Sequence, residues 1–291
     1  MSTATAARSH RRAWAPFLPR WALYLILIVS AALMLYPIGW MIGSSLKPQD
    51  EIFTTPGVLP HTLELGNYAK GWSGVSGVTF GRFFLNSFIV AGLAVVGNVV
   101  SCSLAGYAFA RLRFRFKKAA FAAMLATIML PYHAVLIPQY IVFYQLSWID
   151  TYLPLLVPKF LATDAFFIFL ITQFMRSIPT ELDEAARIDG CGTAGIYRHV
   201  LLPLSTPALV TTALFTFIWT WDDFFSQLVY LSSPSKYTVT LGLRQFLDST
   251  GESAWGPMFS MSVLSLVPIT VIFILFQRRL VEGIATTGLK G

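Results

Sequence analysis

Charge is what this sequence most lacks, because only 12% of its 291 residues are Asp, Glu, Lys or Arg. A soluble globular domain carries about 25% charged residues. Apolar side chains take the place of the missing charge: they make up 55% of the chain and give a mean hydropathy of +0.64. So little charge cannot cover the surface of a water-soluble protein of this size. We therefore expect lipid to solvate much of the exterior.

Cysteine and the signatures of several enzyme classes are also scarce or absent. Two cysteines, Cys102 and Cys191, are too few for a disulfide framework or a zinc site. No G-x-x-x-x-G-K-[ST], H-E-x-x-H or G-x-S-x-G motif occurs, which argues against a P-loop nucleotide site, a zincin metal site and a nucleophile elbow. The histidines are scattered along the chain and form no ligand set. We expect neither a cofactor nor an enzymatic activity in this chain.

Long apolar runs are the abundant feature of the sequence. A helix needs about 20 apolar residues to cross the hydrocarbon core of a bilayer. Backbone groups in lipid must be hydrogen-bonded within the segment, which favours helices here. The runs predict an all-α membrane protein with six spans. The predicted spans are 21–42, 83–109, 119–144, 153–174, 207–231 and 257–276.

The basic residues of the connecting segments indicate how the spans are oriented. Lysine and arginine concentrate on the cytoplasmic side of membrane proteins. Here they cluster in the N-terminal tail, in the loops after the second and fourth spans, and in the C-terminal tail. Both termini and the loop at 176–206 are therefore expected to be cytoplasmic. The chain divides into a basic tail at 1–20, a transmembrane domain at 21–277 and a cytoplasmic tail at 278–291. Because the net charge of +7 flanks apolar runs, we expect no nucleic-acid partner.

The cytoplasmic loop predicts a short, capped helix at 181–189. Thr180 followed three residues later by Asp183 matches a capping box, with Asp in place of the usual Glu or Gln. Acidic residues in the first turns suit the positive end of the helix dipole. Small residues on one face would let another surface approach closely. That face is expected to carry Leu182, Ala185, Ala186 and Asp189.

A glycine turn and a second helix are expected to complete the loop. Gly190 stands where a left-handed residue commonly ends a helix. Thr193 can cap the second helix, and Pro203 limits it before the fifth span. Two short helices joined in this way suit a docking element. A surface hairpin that merely connects two membrane helices fits the same pattern.

The same loop contains a motif with fixed spacing. Glu184-Ala185-Ala186 is followed after three residues by Gly190, and after nine more by Val200-Leu201-Leu202-Pro203. This pattern resembles the EAA motif of ABC importer permeases, with Val200 where that family has isoleucine. The resemblance extends over nearly the whole chain after the first span and is closest to the maltose-type, carbohydrate-uptake branch. Further segments that carry it are Asn86-Ser87, Leu130-Pro131, Ile137-Pro138, residues 154–158, Ser232-Ser233-Pro234, Lys236-Tyr237-Thr238 and residues 288–291.

The resemblance implies that the chain is one permease subunit of a complex in the bacterial inner membrane. The implied partners are a second homologous permease, two ABC ATPase subunits, an extracytoplasmic solute-binding protein and the surrounding membrane lipid. The implied activity is ATP-driven import of a sugar or sugar derivative by alternating access, with ATP hydrolysed on the partner. The family's coupling role falls on Glu184, Ala185, Ala186, Gly190, Val200, Leu202 and Pro203.

Charged residues within the predicted fifth span mark a second candidate site. Asp222 and Asp223 stand between Trp221 and Phe224, and ionisable residues within spans usually face a bundle interior or an aqueous cavity. Carboxylates beside aromatic rings suit a sugar, whose hydroxyls donate hydrogen bonds and whose C–H faces stack on rings. These four residues are therefore a candidate substrate path. An internal ion pair or packing against the partner permease explains the pattern equally well, and the resembling family often carries Asn-Glu-Phe at 222–224.

Other classes of protein are weighed against this interpretation. A gradient-driven secondary transporter usually has more spans and inverted repeats, neither of which the sequence displays. A membrane enzyme needs a cluster of reactive side chains, which cannot be assembled from these residues. An ABC permease for peptides, ions or another small solute would carry the same motif, and only the carbohydrate-branch segments argue against it.

Overall fold

A computed structural model describes residues 19–55, 57–75, 77–248 and 253–288. These residues form helices joined by turns, and no strand occurs among them. The predicted all-α membrane fold is confirmed. The N-terminal tail at 1–18 lies outside the described residues, whereas the predicted C-terminal tail continues the last helix as far as Gly288.

The helices follow one another with short connections. In chain order they are α1 (Arg20–Ser45), α2 (Glu51–Thr54), α3 (Gly66–Ser73), α4 (Phe80–Arg111), α5 (Lys117–Ile128), α6 (Tyr132–Gln145), α7 (Leu153–Phe160), α8 (Ala165–Ser177), α9 (Glu181–Ile188), α10 (Thr193–Ile196), α11 (Leu202–Leu204), α12 (Thr206–Asp222), α13 (Phe225–Tyr230), α14 (Val239–Asp248) and α15 (Trp255–Gly288). A π-helical turn at Tyr197–Leu201 joins α10 to α11, and a 3₁₀ turn occupies Pro234–Lys236.

Four segments of the described chain are long and apolar enough to cross a membrane without a sharp bend. They are Trp21–Ser45, Phe80–Arg111, Leu153–Ser177 and Trp255–Gln277. Two further helix pairs meet the same criteria but are sharply bent, by 106° between α5 and α6 and by 74° between the α10–α11 segment and α12. The count reaches six spans when each bent pair is taken as one.

The predicted third span is wrong as a continuous helix. Instead of one helix at 119–144, α5 ends at Ile128 and α6 begins at Tyr132. Pro131 lies between them; it has no N–H to donate, and it restricts the backbone of Leu130 before it. The apolar run therefore turns at the proline rather than passing straight through it.

The predicted fifth span is also interrupted. The expected helix at 207–231 ends at Asp222 and restarts at Phe225. Asp223 adopts an extended backbone with φ −65° and ψ 107°, which no helix can continue through. The break places the two predicted membrane carboxylates at the end of a helix rather than in its interior.

The core of the bundle is built around α4, which packs mainly against α12, α8 and α7. Glycines let its backbone approach neighbouring side chains: a Cβ at Gly97 would lie 2.5 Å from the ring of Phe160, and one at Gly106 would lie 2.8 Å from Ile171. Asn98 Nδ2 donates a 2.8 Å hydrogen bond to Thr216 Oγ1 of α12. Small residues and interhelical hydrogen bonds of this kind hold membrane helices together without a hydrophobic driving force.

Candidate functional site

The loop that carries the EAA-like motif forms a helical hairpin. Its first arm is α9, its turn is at Gly190, and its second arm runs from α10 to α11. Helix α9 runs to Ile188, and Gly190 follows with φ +85°. The N–H of Cys191 donates to Ala186 O at 2.8 Å, and that of Gly190 donates to Arg187 O at 3.0 Å. These bonds close a C-terminal cap of the Schellman type around a left-handed glycine. The predicted left-handed conformation of Gly190 is confirmed.

The predicted capping box at the start of α9 is wrong. Thr180 has a helical backbone with φ −74° and ψ −19°, and its side chain makes no capping hydrogen bond. A capping residue needs a non-helical backbone to aim its oxygen at the following N–H groups. The Asp183 carboxylate has a different partner, since its Oδ2 lies 2.7 Å from Arg111 Nε at the end of α4.

The Arg111–Asp183 pair is buried, with side-chain exposures of 8% and 5%. The Nε–H of Arg111 is not aligned on the carboxylate as in a regular hydrogen bond, so the short distance marks an ion pair. Arg111 Nη2 also donates to Ile178 O at 2.7 Å, just before α9. The last residue of α4 therefore holds the first arm of the hairpin by a charge and by a backbone contact.

Two tyrosines connect α4 with the second arm of the hairpin. Tyr107 donates from its hydroxyl to Thr193 O at 2.9 Å. The Tyr197 hydroxyl lies 2.8 Å from Ser103 Oγ of α4. The rings of Tyr107 and Tyr197 are themselves in contact, with centroids 5.2 Å apart. Together with the Arg111 contacts, these bonds fix both arms to the same end of α4.

The exposed face of α9 differs from the predicted one. Ala186 is 8% exposed and belongs to the apolar cluster formed by α4, α8, the hairpin and α12, so it faces the chain's own core. Ala185 and Glu184 are exposed as expected. Leu182 is 42% exposed and Ile188 is 87% exposed. Sequence reasoning missed Ile188, although the three-residue spacing of positions 182, 185 and 188 already places them on one stripe.

The second arm carries the remaining motif residues. Gly192, not Thr193, precedes its first helical residue, so the predicted Thr193 cap is wrong. Val200 packs partly against the apolar cluster of the hairpin, and Leu202 is half-buried. Pro203 is exposed within α11, which ends one residue later at the bend into α12. The close of the motif thus forms the junction between the hairpin and the fifth span.

The candidate substrate path lies around the break between α12 and α13. Asp223 Oδ1 accepts a 3.0 Å hydrogen bond from Ser226 N and so caps α13. Thr240 Oγ1 donates to Asp223 O at 3.1 Å and to Gln227 Oε1 at 2.9 Å. Gln227 Nε2 in turn donates to Thr220 O at 3.2 Å. These polar groups satisfy the interrupted backbone and stabilise the break.

The four predicted path residues do not share one surface. Trp221 is 2% exposed, and its ring contacts Phe88 at 4.8 Å and Phe217 at 5.4 Å between centroids. Trp221 therefore belongs to the core of this chain. Asp222 is exposed and Phe224 is 37% exposed, while Asp223 is half-buried. Of the four residues, only Asp222 and Phe224 are exposed.

At the opposite end of the molecule from the hairpin, Asp150 holds the loop that follows α13. Its carboxylate accepts hydrogen bonds from Ser233 Oγ at 2.6 Å and from Lys236 Nζ at 2.8 Å. The N–H groups of Ser232 and Ser233 donate to its other oxygen at 3.0 and 2.9 Å. Burial by itself would raise the pKa of Asp150, but these donors outweigh it and hold the pKa below the usual carboxyl range. The Ser232–Thr238 segment that carries part of the family resemblance is anchored in this way.

Comparisons with known proteins agree on one family. A family model described as "Binding-protein-dependent transport system inner membrane component" matches residues 97–286. The sn-glycerol-3-phosphate transport system permease protein UgpE of Rhizobium meliloti is 33% identical over 270 residues, covering 91% of this chain and 95% of the relative. The trehalose/maltose transport system permease protein MalG of Thermococcus litoralis is 31% identical over 271 residues, covering 92% and 97%.

A solved structure has the same fold. It is a chain of a bacterial ABC transporter involved in the import of the acidic polysaccharide alginate. The TM-score is 0.79, and the alignment covers 91% of this chain and 99% of that chain at 22% sequence identity. The arrangement of helices described above is therefore that of a known transporter fold.

Proposed function

Since the chain belongs to the family of binding-protein-dependent transport system inner membrane components, we propose that it is a permease subunit of an ATP-driven importer of a sugar or sugar derivative. The observation that carries the proposal is the family match, which covers the hairpin and its complete motif. The chain itself is a multi-pass inner-membrane component. The proposed complex contains a second homologous permease, two ABC ATPase subunits and an extracytoplasmic solute-binding protein.

The hairpin is the proposed docking site for the ATPase. Its first helix presents Leu182, Ala185 and Ile188 as an apolar stripe, with Glu184 exposed beside it. A cleft on the ATPase with apolar walls and a basic rim would complement this surface. Because Arg111, Tyr107 and Ser103 tie the hairpin to α4, a displacement of the docked helix would move the central span with it. That movement would drive alternating access as a largely rigid-body change.

A sugar is favoured as the substrate, with a phosphorylated polyol as the second candidate. The relatives that suggest the two classes are the trehalose/maltose and the sn-glycerol-3-phosphate permease proteins. Asp222 presents an exposed carboxylate at the break between α12 and α13, where Phe224 is also exposed. A carboxylate repels a phosphate but accepts hydrogen bonds from neutral hydroxyl groups. Uptake assays with both classes, in the presence of the cognate binding protein, distinguish them.

ATPase rebinding to membranes tests the docking proposal and the orientation together. Inside-out vesicles stripped of peripheral subunits should rebind purified cognate ATPase when they contain the wild-type permease complex, whereas right-side-out vesicles should not. We expect Ile188→Glu to weaken rebinding about tenfold or more, because it places a charge in the apolar cleft. Leu59→Glu, at an external position that is 81% exposed, is the matched control and should rebind normally. Equal rebinding by the two variants would contradict docking through α9. Rebinding to right-side-out vesicles would contradict the predicted cytoplasmic location of the hairpin.

Replacing Asp222 tests the proposed substrate path. Asp222→Ala should lower the rate of sugar uptake several-fold at equal complex levels, because the hydroxyl groups of a passing sugar would lose a charged hydrogen-bond acceptor. Asp223→Ala should instead lower the yield of folded complex, because it removes the cap of α13, which is worth about 1 kcal/mol. Uptake kinetics and the amount of purified complex separate these two effects. An unchanged uptake rate for Asp222→Ala would remove this residue from the path.

A further inference from the structure

The turn between α4 and α5 carries a cluster of cations that the proposed function does not use. Arg113 and Arg115 lie in this turn, and Lys117 and Lys118 begin α5. Arg176 comes from the last turn of α8. Lys117 Nζ donates to Leu112 O at 2.7 Å, and Arg176 Nη2 donates to Phe109 O at 3.2 Å. Both cations are therefore held at the C-terminal end of α4, next to Arg113. None of the ion pairs in the described part of the chain includes any of these five residues.

Aromatic rings are interleaved with these cations. Phe114 is 42% exposed and Phe116 is 69% exposed. The guanidinium of Arg115 lies over the ring of Phe116, 4.8 Å from its centroid. The guanidinium of Arg176 lies 5.0 Å from the centroid of the Phe121 ring. Each guanidinium thus rests on an apolar face, and Arg176 keeps further N–H groups besides the Nη2 that donates to Phe109 O.

The position of the cluster at the N-terminus of α5 favours a bound anion. Lys117 and Lys118 occupy the first turn of α5, which contains no acidic residue and has no side-chain cap. The N-terminus of a helix carries a partial positive charge, so cations there are unfavourable and anions are favourable. Asp183, which faces the bundle from the first hairpin arm, is already paired with Arg111. A bound anion would relieve the repulsion among Arg113, Lys117 and Arg176.

We propose that Arg113, Lys117 and Arg176 bind the phosphate of an anionic phospholipid in the leaflet at the hairpin end of the bundle. A guanidinium pairs with phosphate through two parallel hydrogen bonds, and two of the three groups are arginines. Acyl chains beneath the headgroup would contact α5, which has no buried residue in this chain. Exposed phenylalanines such as Phe114 and Phe116 are among the apolar side chains that proteins bury at the boundary between headgroups and acyl chains. A phosphate dissolved in water would make no use of these apolar surfaces.

Lipid binding to the purified transporter complex tests this site. Complexes are equilibrated in mixed micelles of phosphatidylglycerol and phosphatidylcholine, and bound lipids are counted by native mass spectrometry. The wild-type complex should retain phosphatidylglycerol in preference to phosphatidylcholine. The triple variant Arg113→Gln, Lys117→Gln, Arg176→Gln should bind it about fivefold more weakly for each charge removed. The variant Arg113→Lys, Arg176→Lys keeps the charge but loses the paired guanidinium hydrogen bonds, so its affinity for phosphatidylglycerol should lie between those of the wild type and the triple variant.

Three results would overturn the proposal. One is equal retention of phosphatidylglycerol by the wild type and the neutral triple variant. The second is displacement of the lipid by millimolar inorganic phosphate, which would identify a site for a soluble anion. The third is loss of the ATPase subunits from the triple variant with unchanged lipid binding, which would assign the patch to a protein partner.

Discussion

Gly190→Val is expected to weaken the response of ATP hydrolysis to the sugar-loaded binding protein by about fivefold or more, while leaving the membrane helices folded. Gly190 has φ +85°, a conformation that costs an L residue about 1–2 kcal/mol and that a β-branched residue tolerates worst. Such an energy lowers the ratio of the native turn to its alternative conformations by about 5- to 30-fold. Because a Cβ at this position would meet no other atom within 4 Å, the effect comes from the backbone and not from a steric clash.

The same turn supplies a matched control. Gly192 also has open space around a built Cβ, but its φ is −74° and its ψ is 176°, which valine adopts readily. Gly192→Val should therefore keep most of the coupling. Gly190→Asn should also keep much of it, because asparagine tolerates the left-handed region better than other residues with a side chain.

The measurement is ATP hydrolysis by reconstituted complexes, with and without sugar-loaded binding protein, together with sugar uptake at equal permease content. Equal losses for Gly190→Val and Gly192→Val would show that the left-handed conformation is not the cause. Full stimulation and uptake in Gly190→Val would remove the coupling role of the turn. Normal membrane insertion of all three variants is the condition for comparing them.

Features that depend on local sequence could be predicted well. Apolar runs of sufficient length predicted the membrane helices, because the bilayer imposes both the length and the helical backbone. Gly190 was predicted to be left-handed because that conformation is strongly disfavoured for residues with a Cβ. Pro131 shows where hydropathy alone misleads: the residues around it are apolar enough to continue a span, but the proline interrupts the backbone.

Features that depend on distant partners could not be predicted. Thr180 and Asp183 have the spacing of a capping box, but Arg111 of α4 recruits the carboxylate and the backbone of Thr180 is helical. Ala186 was predicted to face a partner, but it packs in an apolar cluster with residues of α4 and α8. Trp221 was predicted to line a sugar path, but its ring packs against those of Phe88 and Phe217. In each case, the residue type allowed both roles, and packing with another helix decided between them.

Asp183→Asn is expected to detach the hairpin from α4 and to reduce coupled transport by two orders of magnitude or more. The substitution leaves Arg111 buried, with 8% of its side chain exposed and no opposing charge. Removing one partner of a buried ion pair typically costs about 3–5 kcal/mol, because the remaining charge is desolvated and unpaired. Separation of the end of α4 from the first arm of the hairpin would lower this desolvation penalty, because water could then reach Arg111. The ATPase would then bind a helix that no longer moves the bundle.

The decisive comparison is with a variant that removes both charges. In Arg111→Met, Asp183→Leu no charge is left buried, and replacing a buried ion pair by apolar residues is often neutral for stability. This double variant should recover complex assembly and much of the coupled uptake that the single variant loses. Glu64→Gln removes an exposed ion pair, in which Glu64 Oε1 lies 3.6 Å from Lys70 Nζ. It should have little effect, because surface ion pairs contribute little to stability.

Stimulated ATP hydrolysis, uptake and ATPase retention are measured at equal permease content. Wild-type coupling in Asp183→Asn would show that the ion pair does not position the hairpin. A double variant that assembles normally but remains uncoupled would show instead that the charges act in coupling themselves.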